Sequence, residues 1–442
     1  MVIKNKFFVI SSVKIRRKLF QVVETIHARV FGNEMGMEMR EFLSNLSWSF
    51  FGGVIAAATM FAVNILAGRW LGPEEYGKYN LIFLMAQVFF IPMILGMDIA
   101  VARAISIADT NKERIERIIT GSVFVVLCSI AVTVPLLFFG SDHVSDFFSA
   151  TSGTVLVAMF FAVAITLKAL FDGAVRGLHL FRFQAMTRMF EGTVAMAIFL
   201  VVFFLLRDHL SLIFSVAISA LLVSLIYAIK IRASFSKFSS ASVRELLRYA
   251  KFVVVGSVIT LILGYGDRYV VNRYLGIEEL GIYSAYYTAT ILVVGQFIAI
   301  FSNVFFPMIA KIGEKQEIMK KLDHLVLIGI IPAVAGILMV GFLILKLFGS
   351  AYVVDPLTLL LFGVVAALQF FVSFYAGMVN AHDEQTYFWG LAFFAMRATI
   401  YTLYIIVLIT TDSVTILAIL AGLAINYVVD MFNLRYIIKK YA

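Results

Sequence analysis

The chain has 442 residues, 62% of them hydrophobic and 14% charged, where a soluble domain is about half apolar and a quarter charged. With a mean hydropathy of +0.97, this excludes an ordinary soluble protein and points to an all-α integral membrane protein. The formal net charge of +9 follows membrane topology, as the spans below show, so no nucleic-acid partner is expected.

In chain order, residues 1–39 come first, with the basic stretch K-N-K-F-F-V-I-S-S-V-K-I-R-R-K-L-F. Its apolar run is too short for a signal peptide or a span. It reads either as an interfacial amphipathic helix or as an upstream extension of a chain that starts at Met35, Met37 or Met39. Twelve apolar runs of bilayer length then follow: 44–68, 79–105, 117–140, 153–175, 183–206, 210–231, 249–274, 282–310, 322–346, 356–380, 386–410 and 413–437. The connections between them are short.

With the N-terminus in the cytoplasm, 28 Lys and Arg lie at inner segments and five (Arg69, Lys78, Arg207, Arg273, Lys346) at outer ones. That bias predicts a multi-pass protein of the cell membrane with both termini cytoplasmic, drawn to anionic lipid headgroups. Cys128 is the sole cysteine and sits in an apolar run, so disulfides and cysteine metal clusters are excluded. The six His are scattered, and no metal site or cofactor is expected.

A shift of 204 residues lays the chain over itself. R-W-L-G-P-E-E-Y-G-K-Y (Arg69 to Tyr79) matches R-Y-L-G-I-E-E-L-G-I-Y (Arg273 to Tyr283), and 13 of 41 positions agree between 40–80 and 244–284. F-D-G-A-V at Phe171 keeps the register with Y-A-G-M-V at Tyr375. Six helices per half return the chain to its starting side. The repeat therefore predicts two parallel lobes around a central cavity: an N-lobe at 40–231, a cytoplasmic linker at 232–248 and a C-lobe at 249–442. In the repeated turn, Gly is expected to supply a left-handed cap, the Glu pair to open the next helix, Gly77 and Gly281 to allow close packing, and Tyr79 and Tyr283 to sit at the membrane interface.

The turn L-A-G-R-W-L-G-P-E-E-Y-G-K-Y resembles the polysaccharide biosynthesis flippases of the multidrug/oligosaccharidyl-lipid/polysaccharide exporter superfamily. So do G-D-R-Y-V-V-N-R-Y-L-G (Gly266 to Gly276), R-G-L-H-L-F-R-F (Arg176 to Phe183) and M-D-I-A-V-A-R (Met97 to Arg103). The resemblance spans about residues 40–440. It implies translocation of a polyprenyl-pyrophosphate-linked oligosaccharide from the inner to the outer leaflet, with membrane lipids and glycan-assembly enzymes as partners.

Charges within spans are costly and mark cavities or partners. The cationic candidates for a pyrophosphate are Arg397, near the middle of its span, Arg268, Lys168, Arg176 and Arg103. Arg binds phosphate oxygens bidentately, and desolvation strengthens the attraction. Lys168, Asp172 and Arg176 share one helix face at i, i+4 and i+8, where a Lys168–Asp172 bridge is the structural alternative. Glu191, Asp267, Asp172 and Asp98 are candidates to couple H+ or Na+; the structural alternative for Arg397 is a packing Arg paired with a carboxylate elsewhere, and for Glu191 an ion pair with a neighbouring helix, Arg397 being one candidate partner. An ion-coupled antiporter for organic cations is the alternative function, but the first span carries no carboxylate. An integral polymerase or glycosyltransferase would need a catalytic loop that the short connections do not provide. The phosphate-cradling G-x-x-x-x-G-K-[ST] motif is absent, so the chain reads as a transporter, not an enzyme.

Overall fold

The computed structural model describes residues 37–231, 238–299, 315–380 and 384–441. The extension at 1–36, part of the linker (232–237) and the end of the eighth span lie outside the described residues. All regular structure among the described residues is helical. We number the helices α1 Met37–Ile94, α2 Met97–Ser106, α3 Asn111–Pro135, α4 Ser141–Phe148, α5 Ser152–Gly177, α6 Phe181–Leu206, α7 Leu210–Ile231, α8 Ser240–Val270, α9 Ile277–Tyr287, α10 Lys315–Phe348, α11 Pro356–Asn380, α12 Glu384–Thr410 and α13 Ile416–Tyr441. Eleven helical stretches among them are long and apolar enough to cross a bilayer. Helices suit such a span because lipid offers no partner for backbone N–H and C=O groups.

One of these stretches, Gly52–Ile94, has 43 residues. At about 1.5 Å per residue it is roughly twice the thickness of a ~30 Å hydrocarbon core. It is two spans joined at Gly72, whose φ of 77° and ψ of 175° break the helix before Pro73. Gly276, at the same place in the repeat, has φ 103° and ψ 174°. The expected left-handed cap is therefore corrected to a positive-φ, extended glycine that kinks the chain, a conformation open essentially to Gly alone.

One further expectation changes. The second span breaks at Leu95 and Gly96, with φ of 44° and 70°, and restarts as α2. α2 sits on α5 because Gly173 and Gly177 leave room: a Cβ there would lie 2.1 Å from the Asp98 carbonyl oxygen and 2.6 Å from that of Ala102. Tyr79 and Tyr283 are buried among helices.

The two halves meet at the ends that carry the Gly72 and Gly276 turns. A Cβ on Gly77 would come 2.0 Å from the Ile277 carbonyl oxygen, and one on Gly281 would come 1.9 Å from that of Pro73. Shifted by 204 residues, each contact becomes the other, as across a two-fold axis. A second reciprocal pair lies beside it. Tyr352 donates its hydroxyl to the Gly68 carbonyl at 3.0 Å, and Asn272 donates its amide to the Phe148 carbonyl at 2.7 Å. Tyr269 and Arg273 cap the neighbouring α4 carbonyls of Phe147 and Asp146. The first-half turn is also tied within its own half. Glu75 accepts from Lys78 and from the His209 backbone N–H.

At the opposite face the start of α8 lies on α3. Arg117 pairs with Glu245 at 3.3 Å, Ser242 donates to Glu116 at 2.8 Å, and the Ser239 N–H donates to Thr120.

The glycine contact makes a direct prediction. Gly77→Ala and Gly281→Ala each force backbone apart, an overpacking cost of about 1–3 kcal/mol. Their thermal midpoints in detergent should fall clearly below wild type. Gly336→Ala, where a Cβ meets open space, should not fall. Equal midpoints for all three variants would remove the close approach from the account.

Candidate functional site

Arg268 lies near the end of α8 and is only 6% exposed. Its guanidinium carbon sits 3.9 Å from the centre of the Tyr287 ring and 5.0 Å from that of Tyr265. Stacking of this kind attracts the cation to the ring faces and leaves the donors at the guanidinium's edge. Its Nε has no hydrogen-bond partner, and no carboxylate among the described residues lies within ion-pair distance. π-helical turns at Val271–Leu275 and Thr288–Leu292 follow Arg268 and Tyr287 closely, and such turns recur at functional sites.

The site lies on the seam between the halves. Phe83 of α1 meets Tyr265 of α8 with ring centres 6.1 Å apart. The Tyr76 hydroxyl is 3.4 Å from Asn64 Oδ1 in its own half and 3.4 Å from Thr288 Oγ1 in the other. The repeat register makes Asn64 the counterpart of Arg268, so the second half alone carries the charge.

Asp267 is 2% exposed. Its Oδ1 accepts the Arg268 backbone N–H at 2.8 Å and its Oδ2 the Tyr283 hydroxyl at 2.5 Å. The Tyr401 hydroxyl is buried without a partner.

The other nominated charges except Arg103 pair within their own halves. Arg397 bonds to Asn426 and pairs with Asp430, both on α13, and Asn426 returns a bond to the Arg397 carbonyl at 3.0 Å. Its guanidinium also lies 4.6 Å from the Tyr427 ring centre. Lys168 pairs with Glu191 at 2.5 Å, not with Asp172, and Glu191 does not reach Arg397. Asp172 is instead held by Arg188 at 2.7 Å, by Gln184 at 2.8 Å and by the Tyr227 hydroxyl at 3.2 Å. Arg176 is 4.0 Å from Asp98, and Arg103 lies over the Tyr249 ring at 4.4 Å. Asp98, Lys168, Asp172, Arg176 and Glu191 thus form one first-half network, Asp267 and Arg268 sit on the seam, and Arg397 stands apart in the second half.

Arg188, Asp430 and the tyrosines around Arg268 are missed by the sequence reading. Arg188 and Asp430 carry a legible signal, a charge within an apolar run. The tyrosines carry none, because nothing in the chain tells which ring will face the guanidinium. Among the described residues, no group of three His, Cys, Asp or Glu gathers that could hold a metal ion.

Comparison with known proteins agrees with this architecture. Residues 42–313 match the family of polysaccharide biosynthesis proteins. A Shigella flexneri protein named for O-antigen transport is 25% identical over 339 residues, covering 72% of this chain and 79% of that one. A Methanocaldococcus jannaschii membrane protein is 21% identical over 299 residues, covering 62% of this chain and 59% of that one. Two solved structures of a MATE-family multidrug resistance transporter of the MOP superfamily share the fold. The inward-facing one has a TM-score of 0.58 at 14% identity and covers 88% of this chain and 100% of its own. The outward-facing one has a TM-score of 0.54 at 14% identity and covers 90% and 97%. A Pyrococcus furiosus MOP transporter, described as having a binding pocket of reversed polarity, has a TM-score of 0.55 at 14% identity and covers 89% and 95%.

The Arg397–Asp430 pair gives a test of its own. Arg397→Ala leaves a buried carboxylate uncompensated, which costs about 3–5 kcal/mol. The thermal midpoint should drop sharply, and the double change Arg397→Met with Asp430→Leu should recover most of it. A single variant as stable as wild type would show that the pair does not form.

Proposed function

The chain belongs to the polysaccharide biosynthesis protein family, and on that premise we propose that it exports a phosphate-bearing, lipid-linked oligosaccharide across the membrane. One observation carries this reading: Arg268 is buried on the seam between the halves with its Nε unsatisfied. A buried guanidinium with no carboxylate within ion-pair distance is stabilised further by an oxyanion. A polyprenyl pyrophosphate supplies one in the bidentate geometry that Arg accepts. The lobes at 40–231 and 249–442 alternately expose the seam to each side, the termini lie in the cytoplasm of a cell-membrane protein, and the polyprenyl tail stays in lipid. The reciprocal glycine and Tyr352/Asn272 contacts support closure at the outer face.

Lys168, Arg176 and Arg103 serve the route from the inner leaflet. Arg397 remains a candidate of lower standing, since Asp430 already neutralises it. Asp267 is the foremost candidate for coupling to H+ or Na+: it has no cationic ion pair among the described residues, whereas Glu191, Asp172 and Asp98 each face a base. Glycan-assembly enzymes are the partners this reading implies. The same superfamily fold serves multidrug transporters, but an unpaired cation on the seam repels an organic cation, which disfavours the antiporter reading. Sugar transfer by the protein itself has no supporting constellation among the described residues.

Flipping of a polyprenyl-pyrophosphate glycan in proteoliposomes tests the proposal. Losing a charge-assisted bond of about 1.5–3 kcal/mol means that Arg268→Gln should reduce transport roughly 10- to 150-fold. Arg268→Lys should stay impaired, because an ammonium provides neither the stack nor the fork. Wild-type rates in folded Arg268→Gln protein would refute the assignment, and transport of a fluorescent organic cation in its place would favour the antiporter.

A further inference from the structure

We propose that the N-terminal part of α8, Ser240 to Leu263, is an arm that changes partners: it docks on the first half in this structure and on α12 of its own half in a second state. The inference holds whatever the cargo and goes beyond the function proposed above. The internal repeat carries it, because the first half shows how a leading span packs within its own half. There the first span of α1 lies along α6. A Cβ on Gly52 would come 2.5 Å from the Ala185 side chain, and one on Gly192 would come 3.1 Å from that of Thr59. The Trp70 ring stacks on Phe199 with centres 5.9 Å apart. Ala185, Gly192 and Phe199 are spaced by seven residues, so they share one face of α6, and all three are buried.

The matching face of α12 is uncovered. Shifted by 204 residues, Gly192 and Phe199 become Met396 and Leu403, which are 40% and 57% exposed where Phe199 is 0% exposed. Gly256, the counterpart of Gly52, has nothing within 4 Å of its Cβ position. The N-terminal part of α8 lies in the first half instead. Leu246 and Ala250 are buried with Ile94, Met97 and Ile118, and a Cβ on Gly96 would come 2.9 Å from that of Val253. The Arg117–Glu245 and Glu116–Ser242 contacts hold its tip, and a solvent-facing ion pair of this kind is weak and readily broken. The other end of α8 stays with its own half, where Tyr283 donates to Asp267 at 2.5 Å. Between the two ends lie Gly264 and Gly266, where a Cβ would again meet nothing within 4 Å. Glycine weakens a helix interior, and here no close packing calls for it. The pair therefore serves as a hinge, and Gly256 keeps the smooth surface that docking on α12 needs.

Spin labels at Lys112→Cys on α3 and Arg244→Cys on the arm, in full-length Cys128→Ser protein in lipid nanodiscs, read the exchange by electron–electron double resonance. Two distance populations are expected. Arg117→Glu sets like charges together at the tip and should raise the longer population roughly 2- to 5-fold, whereas Gly264→Ala with Gly266→Ala should reduce it. One distance, unchanged by Arg117→Glu, overturns the arm. Oxidation of Gly256→Cys with Trp389→Cys, the counterparts of Gly52 and Ala185, then identifies the second partner. A disulfide between them is expected. A longer distance without that disulfide overturns docking on α12 and leaves its face to lipid chains. No readout involves cargo or Arg268, so failure here leaves the proposed function standing.

Discussion

A charge inside a bilayer must be matched, and that constraint organises this molecule. Removing an ion from water costs several kcal/mol even after relaxation, so each intramembrane charge needs a reason to be there. Lys168, Asp172, Arg176, Glu191 and Arg397 find theirs in partners on neighbouring helices of the same half. Arg268 has aromatic faces and the neighbouring Asp267 carboxylate beyond ion-pair distance, and its Nε is without a hydrogen bond. Cation–π stacking offsets part of its desolvation.

The fold brings this residue to the seam through repeated backbone devices. Gly72 and Gly276 kink the two leading spans alike. Gly77 and Gly281 then let the following helices touch backbone to backbone across the halves. This contact joins α1 to α9, and Tyr265 of α8 meets Phe83 of α1 on the same seam. The two halves share a scaffold but differ in chemistry, with Asn64 in one and Arg268 in the other. A shared frame with a single-sided charge leaves one buried guanidinium on the seam.

Much of the frame is legible in the sequence, because hydropathy reports the bilayer directly and the 204-residue register marks the glycines that allow close approach. The break at Leu95–Gly96 is not legible. Its cause is the fit of α2 under α8, where a Cβ on Gly96 would meet Val253 at 2.9 Å, and no local signal encodes that. Ion-pair partners are legible only as residue types. Spacing on one helix suggests Lys168 with Asp172, yet inter-helix geometry gives Lys168 to Glu191 and Asp172 to Arg188. The prominence of Arg397 follows from its mid-span position, and Asp430, one helix away, changes its meaning. Arg268 is visible as a charge, but its lack of a partner is a property of the packed seam.

The most direct measurement is a cryo-electron microscopy structure of the protein in lipid nanodiscs with a bound polyprenyl-pyrophosphate glycan. Phosphate density is expected at hydrogen-bond distance from the Arg268 guanidinium edge, with Tyr287 still stacked on its face. Phosphate density elsewhere, with Arg268 either unoccupied or paired to a carboxylate of the protein, would contradict it.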